Sequence, residues 1–406
     1  MKQSTETSSR IPMHTVLGVS LIACFIMFRY MMVSFDVYIM LGIVLILMMT
    51  RILRVSFDGS DSFWVLYVLI MFSFGLVRDD IGITTKRMIF LSALILLKIL
   101  LQTDEKEWSN TFFNLLLVLG LIHTTSIIIE VINPSFIRMI RNLLNISEIE
   151  HRAAYLDGIT TQPSIAGFNI SIFACVCVIK FFKSEKTNQK MYLLFFLLGM
   201  SALLLTGKRT LFVGIVFCCF VVAYMYYAII MRKGFRLFTF ILIILIILPF
   251  IARLPIFSRN VDRLLYGDDA GRFLIWKVLI DNFRRSPLIG VGRDVYTSQM
   301  DIGAHDDYLR VLSENGLLGF TFFFLALMLP LVKTMKTFFR KRNVIKMMVF
   351  TKDKYIVSEL LASIFWQILI LLYALTGNPL NTIEQLCSYM AFTAMGLSAI
   401  KKLKPV

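Results

Sequence analysis

Apolar segments long enough to cross a bilayer, at roughly 17 to 25 residues each, recur about twelve times along this chain, and they leave little room for another kind of fold. They fall at 12–33, 36–53, 62–78, 86–102, 111–133, 165–182, 191–206, 210–231, 236–252, 316–335, 355–376 and 380–399. A length of 406 residues would allow two or three soluble domains, but 58% hydrophobic residues exclude them. The expected fold is an all-α polytopic membrane protein with about twelve transmembrane helices. The polar N-terminus has no small-residue cleavage site after the first apolar run, so the first span is expected to be retained. All six cysteines lie inside apolar runs and read as small buried side chains, without the spacing of a disulfide framework or a zinc site.

Lysine and arginine set the expected orientation. With the N-terminus inside, Arg51 and Arg54, the run from Lys183 to Lys190, Arg232 to Arg236, the basic segment 338–354 and the tail Lys401, Lys402 and Lys404 all fall in the cytoplasm. The chain then divides into three regions. Residues 1–252 hold transmembrane helices 1–9 with an outside loop at 134–164, 253–315 form a large extracytoplasmic loop, and 316–406 hold helices 10–12 with the cytoplasmic loop 338–354. The net charge of +16 is largely a consequence of this topology, and no nucleic-acid partner is implied.

The outside loops are nonetheless basic. Arg138, Arg141 and Arg152 lie in the first, and Arg253, Arg259, Arg263, Arg272, Arg284, Arg285, Arg293 and Arg310 in or beside the second. Lys208 and Arg209 sit in a tight connection, Thr206-Gly207-Lys208-Arg209-Thr210, between two spans. Arginine forks match phosphate oxygens, so a substrate bearing phosphate or pyrophosphate would account for some of them. Pairing with the loops' own aspartates accounts for most of the rest. No chain of carboxylates crosses the bilayer centre, and no glycine-broken spans repeat in two halves as in many transporters.

The longest polar interval, Ala270 to Gly319, is where chemistry is expected. Arg272 opens a run that suits a helix lying along a membrane surface, and Ser286-Pro287 ends it. Gly290 and Gly292 permit a tight turn or a close approach, and His305-Asp306-Asp307-Tyr308 precedes the return to apolar sequence at Gly316. A histidine beside carboxylates just outside a span can act as a general base. The alternative is a loop anchor hydrogen-bonded to its own backbone. His14 sits at the edge of the first span, His123 reads as a packed interior histidine and His151 as a weaker second candidate, and the four lack the spacing of a metal site.

With these residues assembled, the chain resembles the O-antigen ligase and O-antigen polymerase family of bacterial envelope glycan enzymes, over about residues 150 to 330. Arg152 to Ala166 is similar to the family's Arg, Gly, Pro and small-residue segment at the head of a span. Leu205-Thr206-Gly207-Lys208-Arg209 is similar to its short turn carrying a functional arginine. Gly271-Arg272, Trp276, Pro287 to Gly292, His305, Tyr308-Leu309 and Glu314-Asn315-Gly316 to Gly319 follow the order of its signature loop. Asp306 stands where the family often has Asn, which leaves open whether it tunes His305.

The resemblance implies a fold of the GT-C type in the bacterial inner membrane, with the termini cytoplasmic and the site on the periplasmic or extracellular side. It also implies metal-independent, cofactor-free transfer of a glycan from undecaprenyl diphosphate to an acceptor hydroxyl. Arg152, Arg209 and Arg272 would hold the diphosphate, with Arg209 and Arg272 stabilising the departing charge. His305 would take the acceptor proton or hold the diphosphate, and a neighbouring carboxylate would raise its pKa. Asp306, Asp307, Glu314 and Tyr308 would support them, and Trp276 reads as an interfacial anchor. The acceptor is another lipid-linked repeat unit in a polymerase of O-antigen, capsule or exopolysaccharide, or lipid A-core in a ligase. The polymerase is the preferred reading because no feature requires a lipid A surface. Membrane lipids and a chain-length regulator are the further implied partners. A flippase or exporter of lipid-linked glycans would share the spans and basic outer cavity without needing the histidine.

Overall fold

The structure, a computed structural model of the chain, describes residues 13–31, 35–48, 57–79, 81–103, 108–144, 146, 155–231, 272–293, 295, 303–351 and 353–403. Among these residues all regular structure is helical. In order the helices are α1 Met13–Phe28, α2 Asp36–Met48, α3 Gly59–Arg78, α4 Ile81–Gln102, α5 Trp108–Ile132, α6 Pro134–Leu143, α7 Pro163–Lys183 and α8 Lys186–Leu205. They continue as α9 Arg209–Ala223, extended by a π-helical turn Tyr224–Ile230, then α10 Arg272–Arg285, α11 Asp307–Arg340, α12 Arg342–Met348, α13 Lys354–Tyr373 and α14 Ile383–Lys402. Helices cover every expected span except 236–252, which lies outside the described residues.

By length and apolar character, 7 of these helices can cross a membrane, namely α3, α5, α7, α8, α9 with its π turn, α11 and α13. α4 and α14 are equally long, at 22 and 20 residues, but carry more polar side chains. The reason lies in their surroundings. α14 is buried from Glu384 through Ala399, so protein rather than lipid faces its polar groups. α1 and α2 are shorter, at 16 and 13 residues. The loop expected at 134–164 begins with the helix α6, whose start is set by Asn133 accepting from the Phe136 amide and by Pro134 at its first turn.

Ion pairs gather at the two ends of the bundle. At one end Lys98 meets Asp61 at 2.6 Å, Lys401 donates to the Gln102 carbonyl, Lys402 meets Glu359 at 3.2 Å, and Lys333 pairs with Asp58. At the other end Arg29 spans Asp36 and Glu384 at 2.8 and 2.7 Å, and the Thr376 hydroxyl bonds to Thr210 at 2.8 Å. Among the described residues, the basic groups that charge counting assigned to opposite sides are thus separated. Arg272, His305 and the 206–208 turn belong to the second end, and Lys341, Lys401 and Lys402 to the first.

Candidate active site

Two glycine motifs that are far from each other in kind close on one another. The amides of Val291 and Gly292 donate to the carbonyls of Ser313 and Glu314 at 3.0 and 3.1 Å, while those of Leu317 and Leu318 donate to Pro287 and Leu288 at 2.8 and 3.1 Å. The result is a four-bond clip between the end of α10 and α11. Gly290 has φ 74° and faces the Glu314–Asn315 backbone; Gly316 has φ 64° and faces the Leu288–Gly290 backbone. A Cβ at either would overlap main chain, so only glycine fits. Gly316 also breaks α11, since its φ of 64° and ψ of −169° are not helical. The return to apolar sequence expected at Gly316 is this kink. Arg78 fastens the clip from α3, donating to the Ile289 and Gly290 carbonyls at 3.0 and 2.5 Å.

Asp306, Asp307, Glu314 and Tyr308, the expected supports of His305, are engaged in building this frame. Asp306 is the N-cap of α11, accepting from the Leu309 amide at 2.9 Å. Asp307 is wholly buried, accepts from Arg310 and from the Leu380 amide at 2.6 Å, and its own amide donates to the Ala374 carbonyl. Glu314 receives Arg310 at 3.0 Å and Arg87 at 3.3 Å. Tyr308 donates to the Leu371 carbonyl at 3.1 Å. Asp307, Arg310 and Glu314 are one turn apart on a helix, a spacing visible in the sequence. This chain of buried charge locks α11 to α13, to the connection before α14 and to α4.

His305 itself sits just before the N-cap, half-buried, with a positive φ of 53° that histidine tolerates better than most residues. Behind it Ala304 packs with Ile275 and Leu279 of α10, joined by Trp276 and Leu309. The Trp276 indole nitrogen is buried without a hydrogen-bond partner among the described residues.

The third element is the 206–208 turn. Gly207, at φ 69°, packs against the Tyr155 ring, and the Leu156 amide donates to the Leu205 carbonyl at 3.3 Å. Lys208 lies over Gly167 near the start of α7, its Cγ 2.9 Å from where a Cβ would stand. The residues Tyr155 to Ala166, expected to head a span, therefore lie beside this turn. Arg152 is outside the described residues, as is His151.

Electrostatics join the three elements. His305 is held below its ordinary pKa of 6.5, first by burial, then by Arg272 and Lys208. Burial, then Arg272, likewise lowers Lys208. The direction for His305 is the opposite of what an adjacent carboxylate would produce, because Asp306 is turned into the helix cap. Arg272 also acts on the Tyr373 hydroxyl at the end of α13. Lys208, Arg272 and His305 therefore share one electrostatic neighbourhood, and Arg209 opens α9 immediately after Lys208. Helix N-termini and clustered cations both favour an anion. The sequence singled out Arg209 from this turn and passed over Lys208; only the packing of the turn on Gly167 distinguishes the latter.

Other basic residues of the same end are accounted for locally. Arg141 is held by Glu130 at 3.1 Å, by Asp157 and by the Gly158 carbonyl. Arg284 pairs with Asp281 at 3.3 Å. His123 is buried, 3.2 Å from the Asn169 amide and 5.1 Å from the Phe28 ring centroid. Among the described residues no group of three His, Cys, Asp or Glu side chains is arranged to hold a metal ion.

Residues 193–324 match the family described as O-Antigen ligase. The matched segment runs from α8 through the 206–208 turn, α10, the clip and His305 into α11, so it contains all three elements. No curated protein matches the chain.

Proposed function

We propose, from the match of residues 193–324 to the family described as O-Antigen ligase, that this chain is a membrane glycosyltransferase that elongates a polysaccharide. The donor is a glycan on undecaprenyl diphosphate, and the acceptor is a sugar hydroxyl of a second lipid-linked repeat unit. The observation that supports the reading is the meeting of Lys208, Arg272 and His305 at one end of the bundle, on a frame whose carboxylates are already paired.

The step balances simply. The acceptor oxygen forms a bond to the anomeric carbon as the bond from that carbon to the diphosphate oxygen breaks. The acceptor proton passes to the imidazole of His305, and the lipid diphosphate leaves as an anion. A histidine held below its ordinary pKa is neutral near pH 7 and so has a lone pair for that proton. Binding an anionic diphosphate beside it offsets the nearby cations and raises its basicity when the substrate arrives. Arg272, Lys208 and Arg209, with the N-terminus of α9, stabilise the charge that develops on the leaving group. Fixed cations perform the service a divalent ion gives other diphosphate enzymes, so transfer is metal-independent. Arg152 belongs to the same diphosphate set. Asp306, Asp307, Glu314 and Tyr308 hold the frame in place.

In the proposed setting, a fold of the GT-C type with about twelve spans and cytoplasmic termini lies in the bacterial inner membrane, with this end facing outward. The family's description as a ligase favours one other acceptor, lipid A-core. Purified protein in detergent, given only a lipid-diphosphate repeat unit, should build a ladder of longer lipid-linked chains. Transfer seen only after lipid A-core is added would make it a ligase, and no transfer under either condition would favour a flippase. EDTA should leave the rate unchanged; loss of activity restored by a divalent ion would overturn the metal-independent step.

A further inference from the structure

A second basic feature opens at the same end of the bundle and shares no residue with the Lys208–Arg272–His305 group. It is a cavity of about 420 Å³ between α2, α3, α4, α11 and the start of α14. Arg29, Lys86, Arg87 and Arg293 surround its mouth. Below them the walls are apolar and aromatic, formed by Trp64, Tyr67, Phe90, Leu91 and Phe323. On α4 the lining runs from Ile83 to Leu91, roughly 12 Å at 1.5 Å per residue, so the cavity is a slot along that helix.

The charges at the mouth are partly neutralised and leave donors over. Arg29 gives one nitrogen each to Asp36, itself a lining residue, and to Glu384. Arg87 reaches Glu314 through one nitrogen at 3.3 Å. Lys86 is exposed and forms no salt bridge among the described residues. What remains is a ring of N–H donors over an apolar shaft, which fits an acceptor-only, anionic head carried on a hydrocarbon chain.

We propose that this slot binds a phosphate-bearing membrane amphiphile, with the phosphate at Lys86, Arg87 and Arg29 and the chain lying between α3, α4 and α11. The shared chemistry has two sources, a bulk anionic phospholipid or a lipid-linked phosphate, and the proposal holds for either. It does not depend on the transfer reaction.

The test uses full-length protein freed of lipid in detergent, with bound species read by native mass spectrometry. The probes are dioleoyl phosphatidylglycerol, polyprenyl diphosphate and neutral dioleoylglycerol, each tested also in the Arg272→Ala background so that the other cationic group does not contribute. At least one phosphate lipid should bind at one per chain and the neutral lipid should not. Lys86→Glu, at an exposed position, should weaken that binding about thirtyfold, since it reverses a charge beside the phosphate. Leu91→Trp should fill the shaft and abolish it. Phosphatidylglycerol binding alone identifies a membrane-lipid site, and preferred polyprenyl diphosphate identifies a substrate-lipid site. Equal binding of the neutral lipid, no effect of either substitution, no bound lipid at all, or loss of binding in Arg272→Ala would each overturn the proposal.

Discussion

Two lysines show how differently this protein uses a cation. Lys98, on α4, is fully inaccessible and sits 2.6 Å from Asp61 and 2.7 Å from the Ser60 hydroxyl. Lys208, at the opposite end, lies against Gly167 with Arg272 and His305 as its electrostatic neighbours. A lysine among carboxylates has its counter-charge built in and serves the fold. A lysine gathered with other cations raises the local potential, and that arrangement is useful only if an anion arrives to balance it. Charge count alone does not find a site; the identity of the neighbours does.

If the cationic end is where transfer occurs, its removal should have the largest effect. Arg272→Ala should lower transfer about 10²- to 10³-fold, as loss of one preorganised donor to a developing anion does. His305→Ala should lower it about 10²- to 10⁴-fold, the range of general base catalysis. Glycan ladders from the purified variants, with membrane insertion checked in parallel, measure both. Wild-type ladders from well-inserted variants would erase the distinction between the two ends.

The carboxylate-paired end should respond in stability instead. Lys98→Ala leaves Asp61 buried and unpaired, which costs about 3–5 kcal/mol. Thermal unfolding in detergent should register that loss, whereas transfer per folded molecule should stay near wild type. Replacing both partners together, Lys98→Met with Asp61→Leu, should recover most of the stability. A Lys98→Ala protein that is stable but inactive would mean that the paired end takes part in the chemistry.

Much of this arrangement was legible in the sequence. The length of the apolar runs located the spans, and lysine and arginine counting sorted Lys208 and Arg272 from Lys401 and Lys402, which the structure keeps at opposite ends. The order of Arg272, Gly290, His305 and Gly316 marked the important loop, but one sequence offers no distance between Pro287 and Leu317, so the mutual closure of the two glycine motifs was hidden. For the same reason Asp306 read as a partner for His305, although its carboxylate is used as a helix cap. The spacing of Asp307, Arg310 and Glu314 did signal a helical ion cluster that could have been read as structural. Lys208 was beyond reach because neighbouring residues in a turn point different ways, and only packing says which way.

The clip joins the chemistry to the fold, so breaking it should have a mixed effect. Gly316→Ala places a methyl group against the Leu288–Gly290 backbone at a φ of 64°, combining overlap with strain of about 1–3 kcal/mol. Reduced thermal stability should accompany a loss of transfer, since α10 and α11 lose their register. Gly42→Ala, where an added Cβ meets nothing within 4 Å, is the control and should change neither.

The smallest change tests the contrast most directly. Lys208→Met keeps the stem over Gly167 and removes only the charge. At present Arg272 and Lys208 both disfavour the protonated form of His305, so its pKa lies below 6.5 and the base is lost only as pH falls through that lowered value. Without Lys208 the protonated imidazole is less disfavoured, and the pKa moves up toward 6.5. The acid limb of the transfer rate should therefore shift to higher pH, together with a loss of about tenfold or less at pH 8 from weaker diphosphate binding. A structural lysine would lower the rate at every pH alike and leave the limb in place. That result would remove Lys208 from the cationic group and leave Arg272 as the neighbour that tunes the base.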